Sequence, residues 1–324
     1  MTNRKNSLDR STMKTMKVMR FNDSMDHPAM IADEAPVPRP AANEVLVRVH
    51  AVGVTPTERL WYPTSHAANG ERRTGAIFGH EFSGVVEAAG SQVEESRICQ
   101  EVFGMNDWFA DGATADYCTA ISASVTAKPL RLSHAESASV PIGALTAWQG
   151  LFDRAKLKSG ERVLVHGGSG AVGLFAIQLA KRAGARIATT ASARNFGLLS
   201  RLGVEELTDY RTERFEDRVR PVDVVFDAVG GETLKRSWDL LKPAGRMVTI
   251  AADSERNADH RTEEAFFIVE PNQEQLAEIA RLLDAAEIEP FVDCVVPFSE
   301  ASEAYFGRIE GRRGYGKVVL SLTA

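Results

Sequence analysis

The residues with the clearest chemical meaning are the glycines that follow the apolar stretch at residues 163–166. The chain reads Gly-Gly-Ser-Gly-Ala-Val-Gly over residues 167–173, so Gly168, Gly170 and Gly173 satisfy the spacing G-x-G-x-x-G. Such glycines allow a sharp turn from strand into helix and a close approach of the backbone to a pyrophosphate. The N-terminus of the helix then offers free N–H groups to the phosphates. Because the motif lies between a predicted strand and a predicted helix, it predicts a dinucleotide site.

The end of the next predicted strand distinguishes between the two nicotinamide cofactors. An NAD site places Asp or Glu there, where it accepts a hydrogen bond from the ribose 2′-hydroxyl. Residues 186–194 read Arg-Ile-Ala-Thr-Thr-Ala-Ser-Ala-Arg and contain no acid. A carboxylate would repel a 2′-phosphate, whereas Thr190, Ser192 and Arg194 can donate hydrogen bonds or charge to one. We therefore predict NADP(H) as the cofactor.

Strands and helices alternate around this site. The predicted strands cover residues 162–166, 185–190, 206–208, 222–227 and 246–251. The predicted helices cover residues 134–150, 171–182, 195–202 and 232–241, the first with Ser133 as its N-cap. After a polar loop at residues 253–264, we expect a sixth strand at 266–270 and an amphipathic helix at 272–286. This alternation predicts parallel β-α-β units, and therefore an α/β fold with a doubly wound sheet.

The N-terminal part of the chain reads instead as a β-rich domain. Residues 16–21 and 44–54 are strand-like, and in the second segment valines alternate with other side chains. The proline-rich connection at residues 35–40 cannot be helical. The tail returns to β character at residues 291–296 and 317–322, so we expect it to rejoin the N-terminal domain.

Composition and charge restrict the partners. The formal net charge of the 324 residues is −6, which argues against nucleic acid or an anionic membrane, because both demand a basic face. The three cysteines lie far apart without C-x-x-C spacing, which favours a reducing cytoplasm over a disulfide framework. No apolar stretch is long enough to cross a bilayer, and residues 1–15 lack the apolar region of a secretory signal. We interpret residues 1–15 as a disordered extension.

Four motifs together resemble the medium-chain dehydrogenase/reductase superfamily. They are Gly-His-Glu-Phe-Ser-Gly-Val-Val at 79–86, the glycines of 168–173, Phe-Asp-Ala-Val-Gly-Gly at 226–231 and Gly-Lys-Val-Val at 316–319. The resemblance covers residues 16–322. It implies a GroES-like catalytic domain at residues 16–135 with 290–324, and a Rossmann NADP-binding domain at 136–289. The nicotinamide would lie in the cleft between them.

The potential metal ligands separate two branches of this superfamily. Zinc alcohol dehydrogenases share the Gly79-His80-Glu81 signature, where the His helps to hold a catalytic zinc. They also have a Cys where this chain has Thr55, and another within the segment that corresponds to residues 140–146, which contains none here. A catalytic zinc needs three protein ligands and an open position. We therefore expect no metal, interpret His80 and Glu81 as a packed, hydrogen-bonded pair, and find the chain similar to the zinc-free quinone oxidoreductase (zeta-crystallin-like) branch.

The resemblance implies hydride transfer from NADPH to a quinone or an activated alkene, and it assigns roles to individual residues. Thr146 would face the nicotinamide, and Thr55 stands where the branch usually has Asn. To the glycines of the motif, Gly168 and Gly173 among them, the resemblance adds specific cofactor contacts. They are Gly170, Ala171 and Val172 at the pyrophosphate, Ser192 and Arg194 at the 2′-phosphate, Tyr210 at the adenosine end, the backbone of Ile250, Ala251, Phe267 and Val269 at the ring, and Lys317 near the cofactor.

The type of acceptor follows from the missing zinc. A simple ketone needs a Lewis acid or a strong proton donor at its oxygen. A quinone or enone spreads the arriving charge over a conjugated system, so a weak donor or solvent suffices. We expect the aromatic segments at residues 60–63 and 106–109 to line the pocket. Tyr62 is a candidate proton donor to a developing enolate, with a surface hydrogen bond as the alternative.

Three other functions remain open from the sequence. A zinc alcohol or polyol dehydrogenase would carry stoichiometric zinc and oxidise alcohols. A sensor or structural protein would bind NADPH and turn over nothing. An enoyl-thioester or 2-alkenal reductase would belong to the same enzyme class. We also predict a homodimer, because the apolar segment at residues 266–269 would leave a sheet edge open to pairing with a second copy, unless a neighbouring helix buries it.

Overall fold

A computed structural model describes residues 14–23, 28–255 and 257–322 of the chain. Most of the predicted N-terminal extension, residues 1–13, lies outside these ranges. Lys14 and Thr15 depart from that prediction, because the Lys14 ammonium donates to the Tyr117 hydroxyl at 3.0 Å and Thr15 begins the first strand.

The strands and helices follow one another along both halves of the chain. The strands are β1 (Thr15–Asn22), β2 (Ala29–Pro36), β3 (Glu44–Gly53), β4 (Glu81–Ala89), β5 (Glu101–Met105), β6 (Tyr117–Ile121), β7 (Val125–Ala127), β8 (Arg162–His166), β9 (Arg186–Ala191), β10 (Glu206–Asp209), β11 (Val222–Asp227), β12 (Leu241–Thr249), β13 (Val292–Pro297) and β14 (Lys317–Ser321). The helices are α1 (Tyr62–Ser65), α2 (His134–Ala138), α3 (Pro141–Trp148), α4 (Ala171–Arg182), α5 (Phe196–Arg201), α6 (Gly231–Ser237), α7 (His260–Ala265), α8 (Gln273–Asp284) and α9 (Ala301–Tyr305).

The first large sheet joins the two ends of the chain. Its strands run in the order β13-β14-β3-β4-β5-β7, with β6 also pairing with β3. The tail strand β14 pairs antiparallel with β3, with Val319 opposite Gly53. The tail therefore rejoins the N-terminal β-rich region, as the sequence predicts. The exact boundaries at residues 135/136 and 289/290 stay a prediction.

The second sheet is parallel and carries the glycine motif. Its order is β10-β9-β8-β11-β12, and each neighbouring pair is parallel. Numbered from β8, this is the order 3-2-1-4-5 of a doubly wound dinucleotide-binding sheet, which confirms the predicted fold class. Ligands of such sheets bind outside the carboxyl ends of the strands where the order reverses, here at β8 and β11. Apolar side chains of β8, β11 and α4 are buried in one core, including Val165, Phe226 and Leu174.

Several predicted elements have different limits in the structure. The predicted helix 134–150 is two helices, because α2 ends before Pro141 begins α3. The predicted polar loop 253–264 contains α7, which the Asp259 side chain caps by accepting from the Arg261 N–H. β12 begins at Leu241 rather than at the predicted residue 246, and Pro243 lies within it, which is possible because β12 is an edge strand.

The predicted sixth strand at residues 266–270 is wrong as a regular strand. Only Phe266 forms a β-bridge, to Thr249, and the Phe267 N–H donates to the Thr249 carbonyl at 3.2 Å. Phe267 and Val269 are buried, whereas Ile268 is exposed. Ile268 therefore lies exposed beside the edge strand β12. A single exposed residue does not show that two copies pair, so the homodimer stays a prediction. Within the described ranges, no helix is both long and apolar enough to span a bilayer.

We predict that the free energy of unfolding falls as the pH drops below about 6.5, because His166 is buried at the end of β8. Its ring nitrogens pair with the hydroxyls of Thr190 and Ser237, at 2.9 and 2.8 Å. Burial lowers the pKa of His166 to about 3, below its usual 6.5. The stabilising effect of neutral His166 is therefore complete above the unfolded pKa and is lost as the pH falls towards the folded one.

At about pH 5, protonation of His166 in the unfolded chain lowers the free energy of unfolding by about 2 kcal/mol. Urea unfolding near pH 7.5 and near pH 5 measures the loss. Because burial also lowers the pKa of His134 to about 4, the comparison uses His166→Gln, which should lose less between the two pH values. An equal loss in both proteins would contradict the assignment to His166.

Candidate active site

The glycine turn between β8 and α4 forms an open cradle for phosphate. α4 begins at Ala171 with Gly170 as its N-cap, and no side chain caps its first N–H groups. A Cβ at Gly173 would lie 2.3 Å from the Gly167 carbonyl oxygen, and one at Gly168 would lie 2.0 Å from Thr189 Oγ1. Only glycine fits at these two positions, and the free N–H groups at the start of α4 suit a pyrophosphate.

Two arginines lie at the far side of this turn, around a cavity of about 360 Å³. The cavity is lined by Ser169, Gly170, Arg194, Arg312, Gly314, Tyr315 and Gly316. Arg312 is paired with the buried carboxylate of Asp293, at 2.8 Å. Arg194 donates to the Gly314 carbonyl at 3.5 Å, and in the described part of the chain no carboxylate pairs with it. Arg194 therefore keeps its charge available for an anionic ligand such as a 2′-phosphate.

The other residues predicted at the 2′-phosphate are placed less favourably. Thr190 is buried, and its hydroxyl is already paired with the His166 ring at 2.9 Å. Ser192 is also buried, at the turn that follows β9. Tyr210 is exposed just after β10, the neighbour of β9, with the Arg211 guanidinium 5.7 Å from its ring centroid.

The carboxyl end of β11 is braced by Asp227. Its carboxylate accepts hydrogen bonds from the N–H groups of Val229 and Gly230 and from the Thr249 hydroxyl. Burial raises the pKa of Asp227, against these bonds, which lower it. The loop at residues 228–231 is thus held against the end of β11.

The residues predicted at the nicotinamide belong to three segments: the end of β12, the stretch after α7, and α3. The N–H groups of Ile250 and Ala251 donate to the Asp227 carbonyl and to Thr249 Oγ1. The Val269 carbonyl accepts from the Trp108 indole N–H at 3.3 Å, which connects the two β regions of the chain. Thr146 is buried in α3, the helix that packs against α4.

Lys317 is buried at the start of β14. Its ammonium contacts the carboxylate of Glu81 and donates to Thr55 Oγ1 at 3.3 Å. Glu81 is fully buried and also accepts from the Ile142 N–H at 2.9 Å. Burial raises the pKa of Glu81, whereas the Lys317 ammonium lowers it. The pair brings a positive charge against the hydroxyl of Thr55.

His80 and Glu81 do not form the hydrogen-bonded pair that the sequence suggested. His80 Nδ1 lies 3.2 Å from Glu58 Oε2, and the same carboxylate accepts the N–H groups of Gly79 and His80. The expectation was wrong because Glu58 is more than 20 residues from His80 in sequence, and only the fold brings its carboxylate against residues 79 and 80. The motifs did not predict Glu58, which contacts His80, or Arg312, which lines the cavity beside the glycine turn. The only signal for Arg312 was its setting in a segment rich in Gly and Arg.

The aromatic segments predicted at the pocket come together. The indoles of Trp61 and Trp108 meet edge to face, with ring centroids 5.1 Å apart. Tyr62 is half exposed and stacks on His66 at 4.4 Å, with the Phe109 ring 6.5 Å away. Tyr62 therefore belongs to the outer rim of this aromatic group, and its role as proton donor stays a prediction.

The donor set around Thr55 does not fit a zinc ion. His80 supplies a ring nitrogen, but Thr55 is a neutral hydroxyl, and the carboxylate of Glu81 is already held by the Lys317 ammonium. A divalent cation placed there would be repelled by that ammonium. Across residues 14–23, 28–255 and 257–322, no cluster of three His, Cys, Asp or Glu side chains could hold a metal.

Comparison with known proteins shows the family of the chain. Residues 41–146 match the alcohol dehydrogenase GroES-like domain family, and residues 202–320 match the zinc-binding dehydrogenase family. The NAD(P)H oxidoreductase RTN4IP1, mitochondrial, of Danio rerio is 30% identical over 86% of this chain and 84% of its own length. The 2-methylene-furan-3-one reductase of Solanum lycopersicum is 32% identical over 88% of this chain and 73% of its own. The solved quinone oxidoreductase of Coxiella burnetii superimposes with a TM-score of 0.84 at 30% identity, covering 96% of this chain and all of that one.

We predict that Gly173→Ala weakens NADPH binding by at least about tenfold, because the new Cβ collides with the Gly167 carbonyl and displaces the phosphate-binding turn. Isothermal titration of the purified variant with NADPH measures the change. Gly197→Ala in α5 is the matched control, since a Cβ there meets nothing within 4 Å. Unchanged affinity in Gly173→Ala, or an equal loss in both variants, would contradict the proposed cradle.

Proposed function

We propose that this chain, which belongs to the medium-chain dehydrogenase/reductase superfamily, reduces a quinone or an activated alkene of the enone type with NADPH and without zinc. Its fold, its glycine cradle and its relatives place it among the nicotinamide-dependent oxidoreductases. The names of two relatives, a quinone oxidoreductase and a reductase of a conjugated furanone, support the acceptor class.

The observation that carries the acceptor class is the contact of Lys317 with Thr55. The Thr55 hydroxyl accepts a hydrogen bond from the ammonium, so its own proton is free for another acceptor. The positive charge behind it strengthens that donor, though far less than a metal ion would. Such a donor matches a conjugated carbonyl, whose developing charge is spread over several atoms, better than an isolated ketone.

The chain's residues can be assigned to parts of this reaction. When bound, NADPH supplies a hydride from C4 of its nicotinamide ring. The N–H groups at the start of α4 would hold the pyrophosphate, and Arg194 would hold the 2′-phosphate. Thr55 would orient the acceptor's oxygen, and Lys317 positions Thr55. The indoles of Trp61 and Trp108 would exclude water from the reacting carbons.

A cytoplasmic location and a homodimer belong to this proposal. All three cysteines are unpaired, which supports a reducing compartment. The names of several relatives include the word mitochondrial, so fractionation of the native cell is the deciding observation. The exposed Ile268 beside the edge strand β12 supports pairing of two copies, which light scattering checks.

We expect the purified protein to oxidise NADPH when it is given 1,4-benzoquinone or cyclohex-2-enone, and to prefer NADPH to NADH. A conjugated acceptor needs only a weak proton donor, which explains the expected acceptors. The preference for NADPH is expected because the charge of Arg194 is available to the 2′-phosphate. Turnover with each acceptor is measured from the absorbance of the reduced nicotinamide. A separate assay supplies a primary alcohol and NADP⁺, the substrates of an alcohol dehydrogenase. Oxidation of the alcohol without reduction of any quinone or enone would contradict the proposal.

The variant Arg194→Ala tests, in the same assay, whether Arg194 recognises the 2′-phosphate. Loss of a charge-assisted contact costs about 1.5–3 kcal/mol, so KM for NADPH should rise by about 10- to 100-fold while KM for NADH stays unchanged. Arg201→Ala, which removes an exposed arginine paired with Glu289, is the control and should alter neither value. Equal effects on both cofactors would show that Arg194 does not recognise the 2′-phosphate.

A further inference from the structure

The segment before β14 carries an arginine that the proposed function does not yet use. Arg312 lines the cavity of about 360 Å³ beside the glycine turn, together with Arg194 and with Ser169 of that turn. Residues 312–316, the tail turn, are held at this place because the Gly316 N–H donates to the Ser169 carbonyl at 3.0 Å. The cavity therefore has one wall from the segments that follow β8 and β9 and another from the tail of the chain.

Asp293 of β13 holds the Arg312 guanidinium by one nitrogen. One oxygen of the fully buried Asp293 carboxylate accepts from Nε of Arg312 at 2.8 Å, and the other accepts the Gly314 N–H at 3.0 Å. A guanidinium has five N–H donors, and this contact uses one of them. In the described part of the chain, the Arg312 side chain makes no other hydrogen bond, and it is 34% exposed. Its two terminal amino groups are therefore available to a ligand in the cavity.

Gly314 brings the second arginine to the same turn. Its carbonyl accepts from the Arg194 guanidinium at 3.5 Å and from the Asn195 amide at 3.2 Å. A Cβ at Gly314 would lie 2.2 Å from the Arg194 guanidinium. Arg194 therefore lies directly against the tail turn that carries Arg312.

The charges of the two arginines are not balanced by the protein. Among the described residues, Asp293 is the one carboxylate that forms an ion pair with either of them. Two guanidinium groups at one cavity repel each other unless an anion lies there too. A phosphate monoester carries nearly two negative charges, and the planar guanidinium fork matches its oxygens. The cavity therefore suits a phosphate monoester.

The position of Arg194 indicates which phosphate this would be. Arg194 follows β9, and the end of this strand is where a dinucleotide site recognises the ribose 2′-oxygen. The pyrophosphate has its own donors, the N–H groups at the start of α4. Because Arg312 shares the cavity with Arg194, the geometry favours the 2′-phosphate over the pyrophosphate as its ligand.

We propose that Arg312 is a second cationic contact for the 2′-phosphate of NADP(H), and that Asp293 is a positioning residue that acts through Arg312. This inference rests on the function proposed above and adds a residue that determines its cofactor specificity. The tail turn is then part of the cofactor site, although β13 and β14 on either side of it belong to the other sheet. Selection of the phosphorylated cofactor depends on both sheets.

Binding of NADP⁺ and NAD⁺ tests the contact without turnover, because the two nucleotides differ only in the 2′-phosphate. By isothermal titration, Arg312→Ala should bind NADP⁺ about 10- to 100-fold more weakly than the native protein and NAD⁺ equally well. Arg312→Lys should recover part of the NADP⁺ affinity, since it keeps the charge but not the fork. Unchanged NADP⁺ affinity in Arg312→Ala would overturn the inference. An equal loss for both nucleotides would also overturn it, because the contact would then be with the pyrophosphate.

Arg313→Ala is the matched control for this experiment. Arg313 is the next residue, its guanidinium donates to the Val292 carbonyl at 3.5 Å, and it is not among the described residues that line the cavity. Its removal should leave both affinities at the native values. A loss of NADP⁺ affinity as large as that of Arg312→Ala would show a general effect of positive charge and overturn the specific contact.

The role of Asp293 is tested in two backgrounds. Asp293→Asn should weaken NADP⁺ binding by about three- to tenfold, because a neutral amide holds the guanidinium less firmly than a carboxylate does. In the Arg312→Ala background the same change should cause no further loss, since Asp293 acts through that arginine. An equal loss in both backgrounds would overturn the positioning role.

Chemical labelling of the native protein covers the case in which the variants do not fold. Phenylglyoxal reacts with the terminal amino groups of arginine, which Asp293 leaves free in Arg312. Mass spectrometry should find Arg312 labelled in the free protein and with saturating NAD⁺, and protected by saturating NADP⁺, while Arg313 is labelled in all three samples. Equal labelling of Arg312 with the two nucleotides, or none in the free protein, would overturn the contact.

These measurements need no acceptor, so they separate the inference from the proposed function. A native protein that binds NADP⁺ through Arg312 but reduces no quinone or enone would overturn the proposed reaction and leave the contact standing. A native protein that reduces these acceptors, with NADP⁺ affinity unaffected by Arg312→Ala, would overturn the contact and leave the reaction standing.

Discussion

The buried contact between the Lys317 ammonium and the Glu81 carboxylate joins the parts on which the site depends. Lys317 begins β14, in the tail, and Glu81 begins β4, in the N-terminal β region. Glu81 also accepts the Ile142 N–H of α3, the helix that packs against the nucleotide-binding helix α4. Removing one member of a buried pair leaves the other charge uncompensated, at a cost of about 3–5 kcal/mol. One ion pair thereby connects the chain's tail, the catalytic sheet and the start of the Rossmann region.

In the proposed reaction, the same contact sets how strongly the acceptor's oxygen is polarised. The metal-binding superfamily members use a cation to polarise the substrate's oxygen, and this chain places an ammonium behind the Thr55 hydroxyl. An ammonium fixed by a carboxylate polarises a hydroxyl but cannot bind the substrate's oxygen as a Lewis acid does. The acceptor must therefore delocalise its own charge. Gly53 leaves room for the Glu81 side chain, because a Cβ at this position would lie 2.6 Å from it.

Local patterns in the sequence were enough to predict the fold and a nicotinamide cofactor, whereas the individual cofactor contacts stay predictions. The glycine turn at residues 167–173 and the acid-free end of β9 each lie within a short stretch, and the alternation of strands and helices fixes the parallel sheet. The pairing of Glu58 with His80 could not be predicted, because it joins separate segments whose side chains meet only after β3 and β4 pair. α7 was missed since its six residues lack an apolar period, and residues 266–270 were overestimated because an apolar run alone does not make a strand.

Dialysis against a strong zinc chelator, followed by metal analysis and a quinone reduction assay on the same sample, tests the central claim most directly. If the Lys317 ammonium takes the place of a metal, the dialysed protein retains its full rate of NADPH oxidation with no zinc bound. Loss of activity that one equivalent of zinc restores would contradict the account, because it would show that the oxygen of the acceptor is polarised by a metal ion after all.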